Sequence, residues 1–326
     1  MPDPPRTPNR RPVTGASNKT GGGLFYALGA HAVWGSMPLY LLLVHEVPPL
    51  EDVAWRIVVT LPVCLLFLTW SSARGRGGWD ELRAVLADRR ALRTLLASSA
   101  LIGVNWFLYV WAIQTGHVYA ASLGYYILPL TMMLLGLVVL GERLTRRQWA
   151  AVALAGVGVT ALAIGALTTL WLSLTMALTF GVYGLLRKTV AAGPLVGLTV
   201  ESLLLMVPAL AVAGWYAAGP EGSAMGRDAL ETAAILWGGP MTAVPLIWFA
   251  IAARRMPYTV VGFLQFSSPT IVFLLGLFWF GEDLRPAQLA CFVAIWAAAA
   301  LFVWDLLRGR GKPPPGDEDA TRGAAA

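Results

Sequence analysis

The segment Ser122 to Leu144, SLGYYILPLTMMLLGLVVLGERL, returns 140 positions later as Gly262 to Leu284, GFLQFSSPTIVFLLGLFWFGEDL. In register, Pro129 meets Pro269, Gly136 meets Gly276, Gly141 meets Gly281 and Glu142 meets Glu282. Leucine matches carry little weight in an apolar chain. Proline, glycine and glutamate are scarce in apolar helices, so their alignment points to two copies of one unit. An internal repeat constrains the fold more than any local motif does.

The medium of that repeat follows from charge. Charged residues make up 13% of the chain and hydrophobic residues 57%, against about 25% charged in a soluble domain. Apolar windows long enough to cross a hydrocarbon core of about 30 Å recur along the chain. Ten spans are predicted: Leu24 to Val44, Pro49 to Trp70, Thr94 to Gln114, Tyr119 to Leu140, Gln148 to Leu167, Leu170 to Leu186, Pro194 to Ala217, Thr232 to Ala253, Tyr258 to Phe280 and Pro286 to Leu306. Lys and Arg then alternate between connections. The N-terminal tail holds 4, the second connection 6, the fourth 3, the sixth 2 (Arg187, Lys188), the eighth 2 (Arg254, Arg255) and the C-terminal tail 4, while the odd connections hold only Arg227 and Arg285. The positive-inside rule places both termini in the cytoplasm.

Five spans per copy is an odd number, so the second copy enters the membrane from the opposite side. The expected fold is an all-α integral membrane protein of ten transmembrane helices arranged as a 5+5 inverted repeat. Its expected parts are a disordered basic tail over 1–23, a first five-helix repeat over 24–167, a second over 168–306 and a disordered cytoplasmic tail over 307–326. Inverted repeats are a recurring build of secondary transporters, with substrate near the midplane where the copies meet.

Arg56 lies seven residues past Pro49 and Glu201 seven past Pro194, so each stands about 10 Å along its helix, counted from opposite faces. Charges at membrane depth are costly, by about 2.5 kcal/mol or more each, and face a bundle interior or water. Both are candidate substrate contacts; a structural ion pair or snorkelling to the interface is the other reading of each. Asn105 and Trp106 fall near mid-depth of the third span, where an amide serves either a solute or a helix-to-helix hydrogen bond. Trp106, Tyr109, Tyr125 and Tyr126 form a candidate aromatic wall suited to amphipathic or cationic ligands. Pro129 and Pro269 each remove a helical hydrogen bond and free the carbonyl four residues back, which makes Gln265 a candidate contact and both prolines candidate kinks.

Other features read as structure. Gly156 and Gly158 lack a preceding strand and suit close helix packing rather than dinucleotide binding. Gly141 and Gly281 read as helix-ending glycines, each followed by an acid placed for the start of the next helix. Cys64 and Cys291 lie within apolar spans and read as unpaired thiols. His31, His45 and His117 share no ligand spacing. No metal, cofactor or nucleic-acid partner is expected; the bilayer and a small-molecule solute are, and small-residue helix faces permit a homodimer.

The chain resembles the RarD family within the EamA-type drug/metabolite transporters over nearly all of Leu24 to Leu306. The resemblance rests on VWG at Val33 to Gly35, Arg56, VNWFLYVWA at Val104 to Ala112, ASLGYYILPL at Ala121 to Leu130, LGERL at Leu140 to Leu144, YGLLRK at Tyr183 to Lys188, Glu201, VPL at Val244 to Leu246 and GFLQ at Gly262 to Gln265. The chain departs from the family pattern at His31, where an aromatic is expected, and at Leu128, where Asn is expected. The resemblance implies a multi-pass protein of the inner or plasma membrane that moves small organic molecules, with drug sensitivity or amino-acid transport suggested for relatives. The expected function is secondary-active transport of a metabolite, amino acid or drug by alternating access, with proton coupling through Glu201 an option and no enzymatic activity. The alternatives are a membrane sensor or assembly protein, which would bind without flux, and a lipid-handling membrane protein.

Overall fold

The computed structural model describes residues 16–75, 77–281 and 286–309, and among these the regular structure is helical throughout. Helix α1 spans Ala16–Gly35, ahead of the expected start at Leu24, and a break at Ser36 separates it from α2, Met37–Leu41. There follow α3 (Pro49–Ala73), α4 (Gly78–Ala87), α5 (Arg89–Gln114), α6 (Val118–Val138), α7 (Arg146–Ala163), α8 (Leu170–Thr189), α9 (Pro194–Ala218), α10 (Ala229–Arg255), α11 (Tyr258–Leu264), α12 (Ser267–Phe278) and α13 (Pro286–Gly309). Eight stretches are long and apolar enough to span a bilayer. Of the ten expected, the first coincides with the interrupted α1 and α2, and the fifth with α7, which carries Arg146 and Arg147 in its first turn and runs on as a 3-10 turn over Ile164–Thr169. The tails up to residue 15 and from 310, and Glu282 and Arg285, lie outside the described residues.

Local chemistry explains the helix ends. Proline stands in the first turn of both α3 and α9, where a missing N–H costs nothing. Asp88 and Asp228, 140 positions apart, cap α5 and α10 by accepting backbone N–H bonds from Arg90 (2.8 Å) and Glu231 (2.9 Å). Gly141 and Gly281 adopt φ of +65° and +66°, the left-handed conformation that ends a helix. The acid after Gly141 serves a different helix from the one expected. Thr145 caps α7, whereas the Glu142 carboxylate accepts the N–H groups of Tyr258 (2.6 Å) and Thr259 (2.8 Å) at the start of α11. An acid four residues before α7 looks local in sequence, but the chain reverses at Gly141 and aims it across the molecule. Glu142→Ala is expected to lower stability by about 1–2 kcal/mol, read as a lower thermal midpoint in detergent.

Packing places α3 between α9 and α10, α6 along α8 and α11, and α7 along α13. Helices α3 and α9 run antiparallel. Ala54 and Ile57 share an apolar cluster with Ala209 and Ala213, while Leu68 shares another with Val196 and Val200. Gly158 lets α7 approach α13, since a methyl there would lie 3.1 Å from the Ala294 Cβ; Gly156 has open space instead. At the ends of α8 and α10 the last-turn cations are exchanged. Lys188 Nζ donates to the Ala253 and Met256 carbonyls, and Arg254 Nη1 donates to those of Val190 and Ala192. Lys188 thereby satisfies carbonyls at the end of α10, and Arg254 those at the cap of α8 and in the turn that follows it. The outer surface is apolar, with Val207 76% and Phe278 80% exposed, as a lipid-facing wall requires.

Candidate functional site

The antiparallel pairing of α3 and α9 sets the geometry of the candidate site. Arg56 lies near the end where α3 begins and Glu201 near the end where α9 begins, separated along the shared axis by roughly 12 Å at about 1.5 Å per residue. They do not pair with each other; each sits in its own polar cluster.

At the α3 end, Arg56 Nη1 lies 3.7 Å from Asp52 Oδ2, one helical turn back. Its Nε donates to Thr242 Oγ1 of α10 at 3.0 Å. Asp52, 4% exposed, accepts the Tyr40 hydroxyl at 3.0 Å. Gly238 makes the approach possible, because a Cβ there would lie 2.6 Å from Tyr40 Oη and 2.7 Å from Arg56 Cγ.

At the α9 end, Glu201 is buried beside Arg187, whose Nε stands 3.7 Å from Glu201 Oε1. Ser98 of α5 donates to Oε1 at 2.5 Å and Tyr183 to Oε2 at 3.4 Å. Arg187 Nη2 donates to the Pro194 carbonyl at 2.7 Å, while Nε and Nη1 have no hydrogen-bond partner among the described residues. The guanidinium lies on Gly197, where a methyl group would overlap it. The Lys and Arg count along the sequence places Arg187 in the sixth connection. In the structure it is buried in the last turn of α8.

Between the clusters lies a small cavity, walled by Ile57 and Thr60 of α3, Trp106 of α5, Tyr183 of α8, Glu201 and Ser202 of α9 and Thr242 of α10. It is pinched to the room of about one water molecule. Its lining is mostly apolar, with Ile102, Leu198 and Leu205 beside one carboxylate, several hydroxyls and one indole, groups that can hold a small solute by an apolar face and a few hydrogen bonds.

The remaining candidates lie apart from these walls. Asn105 is buried and donates from Nδ2 to the Met176 carbonyl (2.8 Å) and Thr179 Oγ1 (3.0 Å), tying α5 to α8. Tyr109 and Tyr125 form an edge-to-face pair at 6.0 Å, and Tyr126 packs on Phe292 at 5.6 Å. Gln265 sits at the break between α11 and α12, and its carbonyl, freed by Pro269, accepts the Ser268 N–H at 3.2 Å. Helix α6 runs unbroken through Pro129, whose carbonyl approaches Gly262 of α11. His31 Nδ1 faces Ser268 Oγ at 3.3 Å. Cys64 and Cys291 are buried and unpaired.

Sequence reasoning missed Tyr40, Asp52, Ser98, Tyr183, Arg187 and Thr242. Asp52 carried a signal, the i,i+4 spacing to Arg56. Ser98 and Thr242 carried none, since hydroxyls are common in apolar helices.

Long apolar helices and an apolar outer surface define a multi-pass protein of the cell membrane. Residues 21–164 match the EamA-like transporter family. An uncharacterized transporter of Pseudomonas aeruginosa is 42% identical over 89% of this chain and 97% of its own length. Protein RarD of Streptomyces exfoliatus is 38% identical over 90% of this chain and 91% of its own. One crystal structure shares the fold at a TM-score of 0.66 and 17% identity, covering 87% of this chain and 97% of its own. The protein is a membrane transporter of the drug/metabolite kind. Within that class, the chain belongs to the RarD family of EamA-type transporters.

Proposed function

We propose that the protein is a secondary-active transporter that moves a small organic solute, such as a metabolite, amino acid or drug, by alternating access. The two halves are residues 24–167 and 168–306, five helices each in opposite orientation, with both termini cytoplasmic. In this reading α1 with α2 and α7 complete the set of ten, and α11 with α12 form one broken span. Caps at Asp88 and Asp228 and left-handed glycines at 141 and 281 support the repeat, since they recur at one spacing.

The observation that carries the proposal is the cavity between two charged clusters at opposite ends of antiparallel helices. Glu201 and Trp106 contact the solute, and Arg56 governs one end of its path. Tyr109, Tyr125, Tyr126, Asn105 and Gln265 line the wider route that opens when the halves separate. The narrowness of the cavity supports a closed member of the cycle.

Thermal stabilisation of the purified protein by a panel of amino acids, metabolites and cationic drugs tests this reading. A ligand that binds the folded state raises its midpoint. The expected result is a hit that is lost in Glu201→Gln. A flat panel on folded protein would contradict a small-solute site and favour a lipid substrate or a sensor.

A further inference from the structure

The two clusters are built alike across the repeat. Arg56 and Asp52 both belong to the first half, and the hydroxyl that holds Arg56 comes from Thr242 on α10 of the second. Arg187 and Glu201 both belong to the second half, and the hydroxyl that holds Glu201 comes from Ser98 on α5 of the first. Helices α5 and α10 occupy the same place in their halves, each capped by an Asp at one spacing of 140. Each ion pair is thus contained within one half and held to the other by a hydroxyl, Thr242 on Arg56 and Ser98 on Glu201.

This division suits a moving interface. Separating opposite charges at membrane depth is costly, and a lone charge left behind more so. If the halves rock, each Arg keeps its carboxylate and each ion pair exchanges a hydroxyl contact, while at the end where α3 begins Glu51 also lets go of Ser223 and the Ala224 N–H. Resting on the alternating-access reading, we propose that Thr242 and Ser98 are positioning residues that act as two opposed clasps. Release of Thr242 from Arg56 opens the cavity at the end where α3 begins, release of Ser98 from Glu201 opens it at the end where α9 begins, and with both closed the cavity is occluded. The ion pairs persist in every state, as handles that the clasps grip.

Thiol accessibility in sealed vesicles tests this. Native Cys64 is fully buried, stands one turn beyond Thr60, which lines the cavity, and lies at about the depth of Glu201. Ile57→Cys in a Cys64→Ala chain reports the Arg56 end. Ser98→Ala is expected to raise Cys64 alkylation by an impermeant maleimide about tenfold from the face where α9 begins, leaving the Ile57→Cys reporter unchanged. Thr242→Ala is expected to do the converse from the other face, and Thr242→Ser, which keeps the hydroxyl, to restore the unmodified rate. Both reporters speeding up in both variants would show general loosening and overturn the clasps, as would no change in either. The labelling needs no solute, so the two readings separate. Crossed labelling without flux of any stabilising solute would keep the clasps and overturn transport, whereas flux with uncrossed labelling would keep transport and overturn the clasps.

Discussion

Arg187→Met is expected to destabilise the protein by about 3–5 kcal/mol, because it leaves the Glu201 carboxylate buried without a counter-charge. Ser98 and Tyr183 still donate to that carboxylate, but neutral donors do not replace a cation in a low-dielectric interior. The native pair is itself poorly satisfied, with a 3.7 Å separation and two guanidinium nitrogens unpartnered among the described residues. Adding Glu201→Gln to Arg187→Met should therefore return most of the loss, a coupling of about 2–3 kcal/mol. Denaturation midpoints of the four proteins in detergent measure it. A double variant as unstable as the sum of the singles would show that the two residues act independently.

Arg56→Ala is expected to lower solute flux at least about tenfold, by removing the charge that Thr242 grips and leaving Asp52 with only the Tyr40 hydroxyl. The stability cost is about 3 kcal/mol, at the low end for a buried pair since Arg56 is 17% exposed. Arg56→Lys should not recover flux, because one ammonium cannot reproduce the divided contact in which Nε meets Thr242 and Nη1 meets Asp52. Loss of fold is separated from loss of function by adding Asp52→Asn to Arg56→Ala. That double variant should regain stability, read as the thermal midpoint, while flux stays low. Recovery of both together would reduce Arg56 to a structural ion.

The parts legible in the sequence are those written in scarce residues. The helix-ending glycines at 141 and 281, the depth of Arg56 and Glu201, and the buried unpaired cysteines follow from spacing and from the rarity of such residues in apolar helices. What was illegible depends on which helices touch. Glu142 caps α11 rather than a neighbour in sequence because the turn at Gly141 redirects it. Arg187 looks like a surface charge in any count of Lys and Arg near span ends. Only the return of the chain into α9, whose Pro194 carbonyl takes the guanidinium and whose Gly197 makes room for it, turns it inward. The mirrored hydroxyls of Ser98 and Thr242 rest on ordinary residues, so nothing short of the three-dimensional arrangement pairs them. The prolines show the same limit: Pro129 and Pro269 align in the repeat, yet α6 continues through the first while the chain breaks shortly before the second.

The most direct measurement is exchange in proteoliposomes, using the solute that gives the largest thermal stabilisation. Vesicles loaded with unlabelled solute and diluted into labelled solute should accumulate label over empty-loaded controls, because alternating access trades one molecule for another across the membrane. Arg56→Ala and Glu201→Gln vesicles should not. Binding without exchange by the unaltered protein would contradict transport and leave a receptor; exchange undiminished in both variants would remove the two charged clusters from the path.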